Sequence, residues 1–409
     1  MTHKSKHFTP TKGTLVALLL VSMLNCMGGA AVAPALPQIS EAFPEAAETM
    51  VALIISLPSL AVAISGLFVG VIADKAGKAK TLFVSLALFT VAGLSGIFLP
   101  TLETILVSRF VMGIGMAGVA TSSTALIADY YDADRQAKVM GMQSAATGAS
   151  ILILEMSGGF LALMGWRVPF YVYAIGIVML VCVGLYVREP YHGPVEADAD
   201  AAGAAESSSA GTSATGKGVV AVLAICVVLV FFQSSAVFLV PSKMPYLVDM
   251  FGGSTAISGL FLGAFGLANI ISSLAYARLV RRFGRFVLLG FGFAFVAIGM
   301  LCLGLADSLW AVLPGAVIVN LGVGCILPLI ANWIAWVSTP QNSGRHMGIF
   351  TTVINIGQFF CPIWAGAVLA QSGSYSLVFL IAAVFSLVIA VAMFVMRVVC
   401  PGLQNIHVS

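Results

Sequence analysis

Two side chains stand out because each carries a full charge inside a long apolar run. Arg109 lies in the run 104–128 and Glu155 in the run 139–162. Burying either alone costs at least several kcal/mol, so both must face a polar interior or each other. A carboxyl held among apolar groups can take up and release a proton, and an arginine that pairs with it in one arrangement and releases it in another would switch its occupancy. The same two residues also fit a fixed structural ion pair, or a site for charge on a substrate.

Five amides in other apolar runs lie at depths that suit a central cavity: Asn25 in 14–36, Gln233 in 218–240, Asn320 in 309–334, and Asn355 with Gln358 in 346–370. An amide facing lipid leaves costly donors and acceptors, so inward orientation is favoured. Singly they read as hydrogen bonds between helices; spread over both halves of the chain, they read as polar points on a cavity wall. Phe231, Phe232 and Phe238 are either an apolar wall for an amphipathic solute or ordinary packing.

Nothing supports catalysis. There is no GKS or GKT phosphate loop. His3, His7, His192, His346 and His407 are scattered, and the seven cysteines form no CxxC or tight cluster. No enzyme activity, cofactor, metal site or disulfide framework is expected. No cluster joins many basic residues to interleaved aromatics, so nucleic acid is not an expected partner.

The elements that position these residues follow from composition. The 409 residues are 60% hydrophobic and 9% charged, with a formal charge of +3 and a mean hydropathy of +1.06. A typical soluble domain is roughly 25% charged. The chain therefore reads as an all-α integral membrane protein. Apolar runs at 14–36, 49–72, 80–99, 104–128, 139–162 and 167–187 precede a break; runs at 218–240, 254–277, 286–306, 309–334, 346–370 and 374–397 follow it. Each approaches the length that crosses a core of about 30 Å, and none alternates as a barrel strand would. The first run is read as a retained helix, not a cleaved signal.

This gives twelve transmembrane helices in two six-helix bundles, 1–187 and 218–409, joined by 188–217. That joining segment is rich in Ala, Gly and Ser with scattered carboxylates, and reads as a flexible cytoplasmic linker. Lys4, Lys6, Lys12, Lys75, Lys78, Lys80, Arg135, Lys138, Arg188, Lys217, Arg278, Arg281, Arg282, Arg285, Arg345 and Arg397 fall on one side of the membrane, and only Arg167 and Lys243 on the other. The basic side is cytoplasmic by the usual bias, which puts both termini inside. Helix rise then sets Arg109 about 8 Å into the membrane and Glu155 about 6 Å from the same outer boundary.

Asp74-Lys75-Ala76-Gly77-Lys78 after the second run is echoed by Arg281-Arg282-Phe283-Gly284-Arg285 after the eighth, a basic turn around a glycine in each half. With Gly70 and Lys80, the first of these resembles the cytoplasmic loop signature of the major facilitator superfamily. Arg109 followed by Gly113, Gly115 and Ala117, then Asp129 and Arg135, resembles that superfamily's fourth-helix pattern and following loop. Gly165-Trp166-Arg167 with Phe170, and Pro34, Leu36 and Pro37, are similar to further segments, the last frequent in its drug:proton antiporter branch. That branch usually has a glycine-proline pair before paired glycines in helix five; here Leu154-Glu155 precede Gly158-Gly159.

The resemblance implies two bundles that rock around a central site. It implies a conformational latch at Gly70, Asp74, Lys75, Gly77 and Lys78, joined by Asp129 and Arg135, and a path lined by helices one, four, seven and ten, which favours Asn25, Arg109 and Asn320. The leading expectation is export of a small amphipathic compound by proton antiport from a monomer in the bacterial inner membrane. Uptake or facilitated diffusion of a small organic solute, or of an anion drawn to Arg109, is the alternative; a membrane sensor on a transporter scaffold is the third.

Overall fold

The computed structural model describes residues 10–24, 27–189 and 213–399. Its helices are α1 Lys12–Met23, α2 Leu36–Ala42, α3 Glu48–Ala76, α4 Lys78–Ser95, α5 Leu102–Tyr130, α6 Ala133–Ala162, α7 Ile175–Tyr186, α8 Ser213–Met250, α9 Thr255–Phe283, α10 Arg285–Gly304, α11 Leu309–Trp336, α12 Pro340–Ser372 and α13 Tyr375–Val399. Among the described residues, eleven helices are long and apolar enough to cross a membrane, and Lys12–Met23 is a shorter apolar one. The fold is all-α, with roughly a dozen spans in two interacting bundles.

Local chemistry sets the ends. Thr101, Ser254 and Thr339 each accept a backbone N–H at the start of α5, α9 and α12, and Pro340 opens α12 where no amide donor is needed. Gly77 (φ +100°) and Gly284 (φ +78°) turn the chain between α3 and α4 and between α9 and α10. Both hold a left-handed conformation that disfavours side chains, which explains the glycine at the centre of each basic turn.

The first span is not the continuous helix expected over 14–36. It ends at Met23 and resumes through a 3-10 turn, Ala33–Ala35, into α2. Pro34 and Pro37 lack amide donors, and Gly28 with Gly29 weaken a helix between them. The run 167–187 likewise begins as a 3-10 segment, Val168–Ala174, around Pro169.

The halves pack alike: α5 against α3 and α4, α11 against α9 and α10. Between the bundles run two seams, α6 on α9 and α3 on α12. Gly159, Glu155, Gly148 and Gly141 form one stripe along α6 at helical spacing. A Cβ added at Gly159 would stand 2.6 Å from Thr255 O and 2.7 Å from Gly259 Cα; at Gly148 the nearest atom is Ile270 Cγ1 at 3.7 Å; at Gly141 nothing lies within 4 Å. The second seam opens the same way. Gly366 abuts Thr49, and Ser59 Oγ donates to Gln358 Oε1 at 2.9 Å. A Cβ at Gly66, Gly70, Gly344 or Gly348 meets nothing within 4 Å. The bundles thus meet at the end away from the basic turns and part toward them.

Candidate functional site

Where the seams begin to part they enclose a cavity of about 390 Å³, a size that suits a small organic molecule. Both bundles line it. Its polar groups are Ser59, Glu155, Gln233, Ser234, Asn269, Asn320, Asn355 and Gln358, set among Ile55, Met116, Ile151, Phe238, Phe265 and other apolar residues. Among the described residues, Glu155 is the one charged side chain in this lining. It is 4% exposed, and its Oε2 has no hydrogen-bond partner among the described residues. The carboxyl faces α9, where a Cβ at Gly266 would lie 3.6 Å from Oε2. That distance is ordinary van der Waals contact, so position 266 packs directly beside the acid.

The amides are arranged, not free. Asn320 Nδ2 donates to Phe265 O at 2.7 Å and Asn269 Nδ2 to Asn320 Oδ1 at 3.3 Å. Asn355 Nδ2 donates to Thr351 O at 2.8 Å, and Ser234 Oγ to Gln233 Oε1 at 3.4 Å. These bonds fix side-chain orientation from behind, while the remaining polar faces line the cavity. Asn269, Ser59 and Ser234 were not singled out by the sequence; the lone amide of Asn269 in an apolar helix is the signal that could have found it. Asn25 lies outside the described residues.

Arg109 is not in this cavity, and it forms no ion pair with Glu155. Its fully buried guanidinium donates from Nη2 to Ala92 O (3.0 Å) and Gly93 O (2.8 Å) on α4. It lies 4.9 Å from the Phe170 ring centre and 5.0 Å from that of Tyr173. Carbonyl dipoles and aromatic faces, not a carboxylate, compensate this cation. The expected pairing fails because helix rise fixes depth but not the side of the helix: α5 turns Arg109 into its own bundle, and α6 turns Glu155 toward the other.

A family model described as the Major Facilitator Superfamily matches residues 18–244 and 223–403. The chain belongs to the Major Facilitator Superfamily. It is a multi-pass membrane transporter of a small solute, not an enzyme, and its work follows from a lipid-embedded two-bundle architecture. Quinolone resistance protein NorA of Staphylococcus aureus (strain MRSA252) is 24% identical over 301 residues, covering 73% of this chain and 76% of the relative. Tetracycline resistance protein, class G, of Vibrio anguillarum is 26% identical over 362 residues, covering 85% and 88%. This similarity to NorA is weak but consistent, as the antiporter-branch resemblance implied. In fold, the crystal structure of a D-xylose-proton symporter superposes with a TM-score of 0.79 at 18% identity, covering 93% of this chain and 97% of that one. A bacterial Spinster homologue, inward-facing and unoccupied, superposes at 0.75 with 16% identity, covering 97% and 98%.

The superfamily loop between α3 and α4 lies at the parted end. Lys78 Nζ pairs with Asp129 Oδ2 at 2.7 Å, and Glu189 Oε1 and Oε2 accept the amides of Lys78 (2.6 Å) and Ala79 (2.9 Å). Glu189 thereby caps α4, and its carboxyl fills the space a side chain at Gly77 would need. Tyr130 OH donates to Arg188 O. None of these contacts reaches the second bundle. Asp74, Lys75 and Arg135 are exposed and Gly70 is half-buried; Arg135 lies over the Tyr131 ring at 5.5 Å, not against Asp129. No latch joins the halves among the described residues here, because the seams are apart at this end.

The opposite end is held shut. Lys243, fully buried at the end of α8, reaches Glu48 Oε2 at the start of α3 (3.2 Å). Tyr375 OH donates to Glu48 Oε1 at 2.6 Å, and the hydroxyls of Ser40 and Tyr246 lie 2.7 Å apart.

Proposed function

We propose that this chain carries a small neutral or cationic organic solute through the cavity by alternating access, with Glu155 taking up and releasing a proton as the bundles rock. The observation that supports this is the setting of Glu155: buried, in the cavity wall, on the seam that must open, with no cation beside it. An enclosed carboxylate without a partner is costly, so the neutral acid or a carboxylate paired with a bound cation is the stable form while the seam is closed. Opening the seam wets the group and lets the proton leave. A single carboxyl and a ring of amides disfavour an anion, and Arg109 stands behind the wall where no solute in the cavity reaches it.

With the basic turns taken as cytoplasmic, the parted end faces inward and both termini lie inside, in a bacterial inner membrane. One chain supplies both walls of the cavity, so the working unit is a monomer. In the opposite state the parted ends close and bring the Asp74 loop against the second bundle, where it acts as a latch. Direction is set by the solute and proton gradients. Export coupled to proton entry fits relatives named for quinolone and tetracycline resistance; uptake or facilitated diffusion of a small organic solute fits the same cavity and fold equally well.

Flux of a fluorescent fluoroquinolone, tetracycline and a panel of small organic cations into reconstituted vesicles, with and without a pH gradient, tests this. The native protein is expected to move at least one probe with a rate that follows the gradient. Glu155→Gln should keep residual movement that ignores it. Identical pH dependence in both proteins would overturn the coupling role.

A further inference from the structure

Arg109 is too deep in the first bundle to meet a solute, yet what it packs against reaches the cavity. Its guanidinium lies against Tyr173, whose hydroxyl donates to Met27 O at 3.1 Å with Gly28 O at 3.4 Å. Those carbonyls belong to the interrupted first span, and Gly28, Gly29 and Ala30 form part of the cavity wall. On the other side the wall is pressed by α3 and α5. A Cβ at Gly29 would stand 2.7 Å from Ile55 Cβ, and one at Gly28 3.0 Å from Met116 Cε. The segment is held between two faces, with the Tyr173 hydroxyl as its polar tie from behind.

The wall in turn touches the helix that bears the acid. Gly158 of α6 abuts Ala31 O so closely that no side chain fits between them. Ser150 Oγ on the same helix lies 3.1 Å from Met23 O, with Thr147 O of its own helix nearer at 2.7 Å. We infer that Arg109 and Tyr173 are positioning residues: they seat the broken first span as the cavity wall and, through Ala31 and Gly158, fix where α6 holds Glu155. This rests on the reading of the central cavity as the solute path. It gives the buried cation a task that needs no contact with proton or solute. The two carbonyl bonds hold the guanidinium beside the Phe170 and Tyr173 rings, the cation backs Tyr173, and the ring aims its hydroxyl at the interrupted backbone.

Hydrogen–deuterium exchange on the full-length protein in nanodiscs tests the tie without any solute. The reporting amides are Val32 and Ala33, which donate to Gly29 O at 3.0 and 2.9 Å. Tyr173→Phe removes one hydroxyl and should speed their exchange about fivefold, the equivalent of one net hydrogen bond, with α10 unchanged. Arg109→Lys, which keeps the charge but loses the planar fork, should speed the same amides. Phe170→Leu, which removes the ring beside Tyr173 but keeps the Tyr173 hydroxyl, should lower the melting temperature without that local signature. In vesicles, Tyr173→Phe should raise the half-saturating concentration of any probe the native protein moves by threefold or more, with the maximal rate within about twofold. Native exchange at Val32 and Ala33 in Tyr173→Phe overturns the tie, as does an equal rise in α10. Native exchange in Arg109→Lys removes the arginine from it. If instead the exchange result holds while Glu155→Gln keeps native pH dependence, the coupling reading fails and the positioning of the wall stands.

Discussion

Lys243 Nζ and Glu48 Oε2, 3.2 Å apart, bridge the two bundles with unequal exposure: the lysine side chain is fully buried, whereas a third of the glutamate side chain remains open. The ammonium also lies 5.2 and 5.9 Å from the ring centres of Tyr246 and Tyr375. Its partners come from both halves, so the cation is satisfied only while this end is shut. Opening the end must expose or re-pair it.

Glu48→Gln is therefore expected to weaken the closed end. Removing one partner of a fully buried pair costs about 3–5 kcal/mol; with Glu48 a third open to water, about 1–2 kcal/mol is the appropriate scale. That corresponds to a roughly 5- to 30-fold shift toward the state open at this end. Spin-label distances across each end of α3 and α12 measure it. Exchanging the two charges should recover part of the closed population, and unchanged distances would remove the pair from gating.

Gly159→Ala tests the seam itself. The new methyl would stand 2.7 Å from Gly259 Cα and 2.6 Å from Thr255 O, both backbone atoms that cannot swing aside. The closed seam should lose at least tenfold in population, and transport should fall with it. Gly66→Ala on α3 meets nothing within 4 Å, so it should leave the closed seam populated as in the native protein and gain up to about 1 kcal/mol from helix propensity. Equal losses in the two variants would argue against a wedge-shaped interface.

At the parted end, Glu189→Gln removes the negative charge that caps α4. A loss of about 1 kcal/mol is expected, seen as a lower melting temperature in dilute buffer. The group is exposed, so added salt should shrink the difference between variant and native protein. A difference that is insensitive to salt would point to packing instead of charge.

The number of spans was legible because apolar runs of membrane length are punctuated by Gly and charge. The glycines of the two basic turns were legible too, and both sit at positive φ as the end of one helix meets the start of the next. The break in the first span was written in Gly28-Gly29 and Pro34, but the length of the apolar run 14–36 outweighed it. Among the cavity residues, Glu155, Gln233, Asn320, Asn355 and Gln358 could be named from the cost of a polar group facing lipid. Arg109 could not be placed by that argument. Carbonyls of Ala92 and Gly93 and two aromatic faces satisfy it inside one bundle, and sequence does not announce such partners. Glu189 was hidden for the converse reason: at the edge of a polar linker, nothing marks one carboxylate as a helix cap.

Proton occupancy at Glu155 carries the account, and infrared difference spectroscopy of the protein in nanodiscs reads it most directly. The native protein should show the carbonyl stretch of a protonated carboxylic acid that disappears in Glu155→Gln and changes when a transported probe is added. A native spectrum indistinguishable from that of the variant, with and without probe, would contradict it.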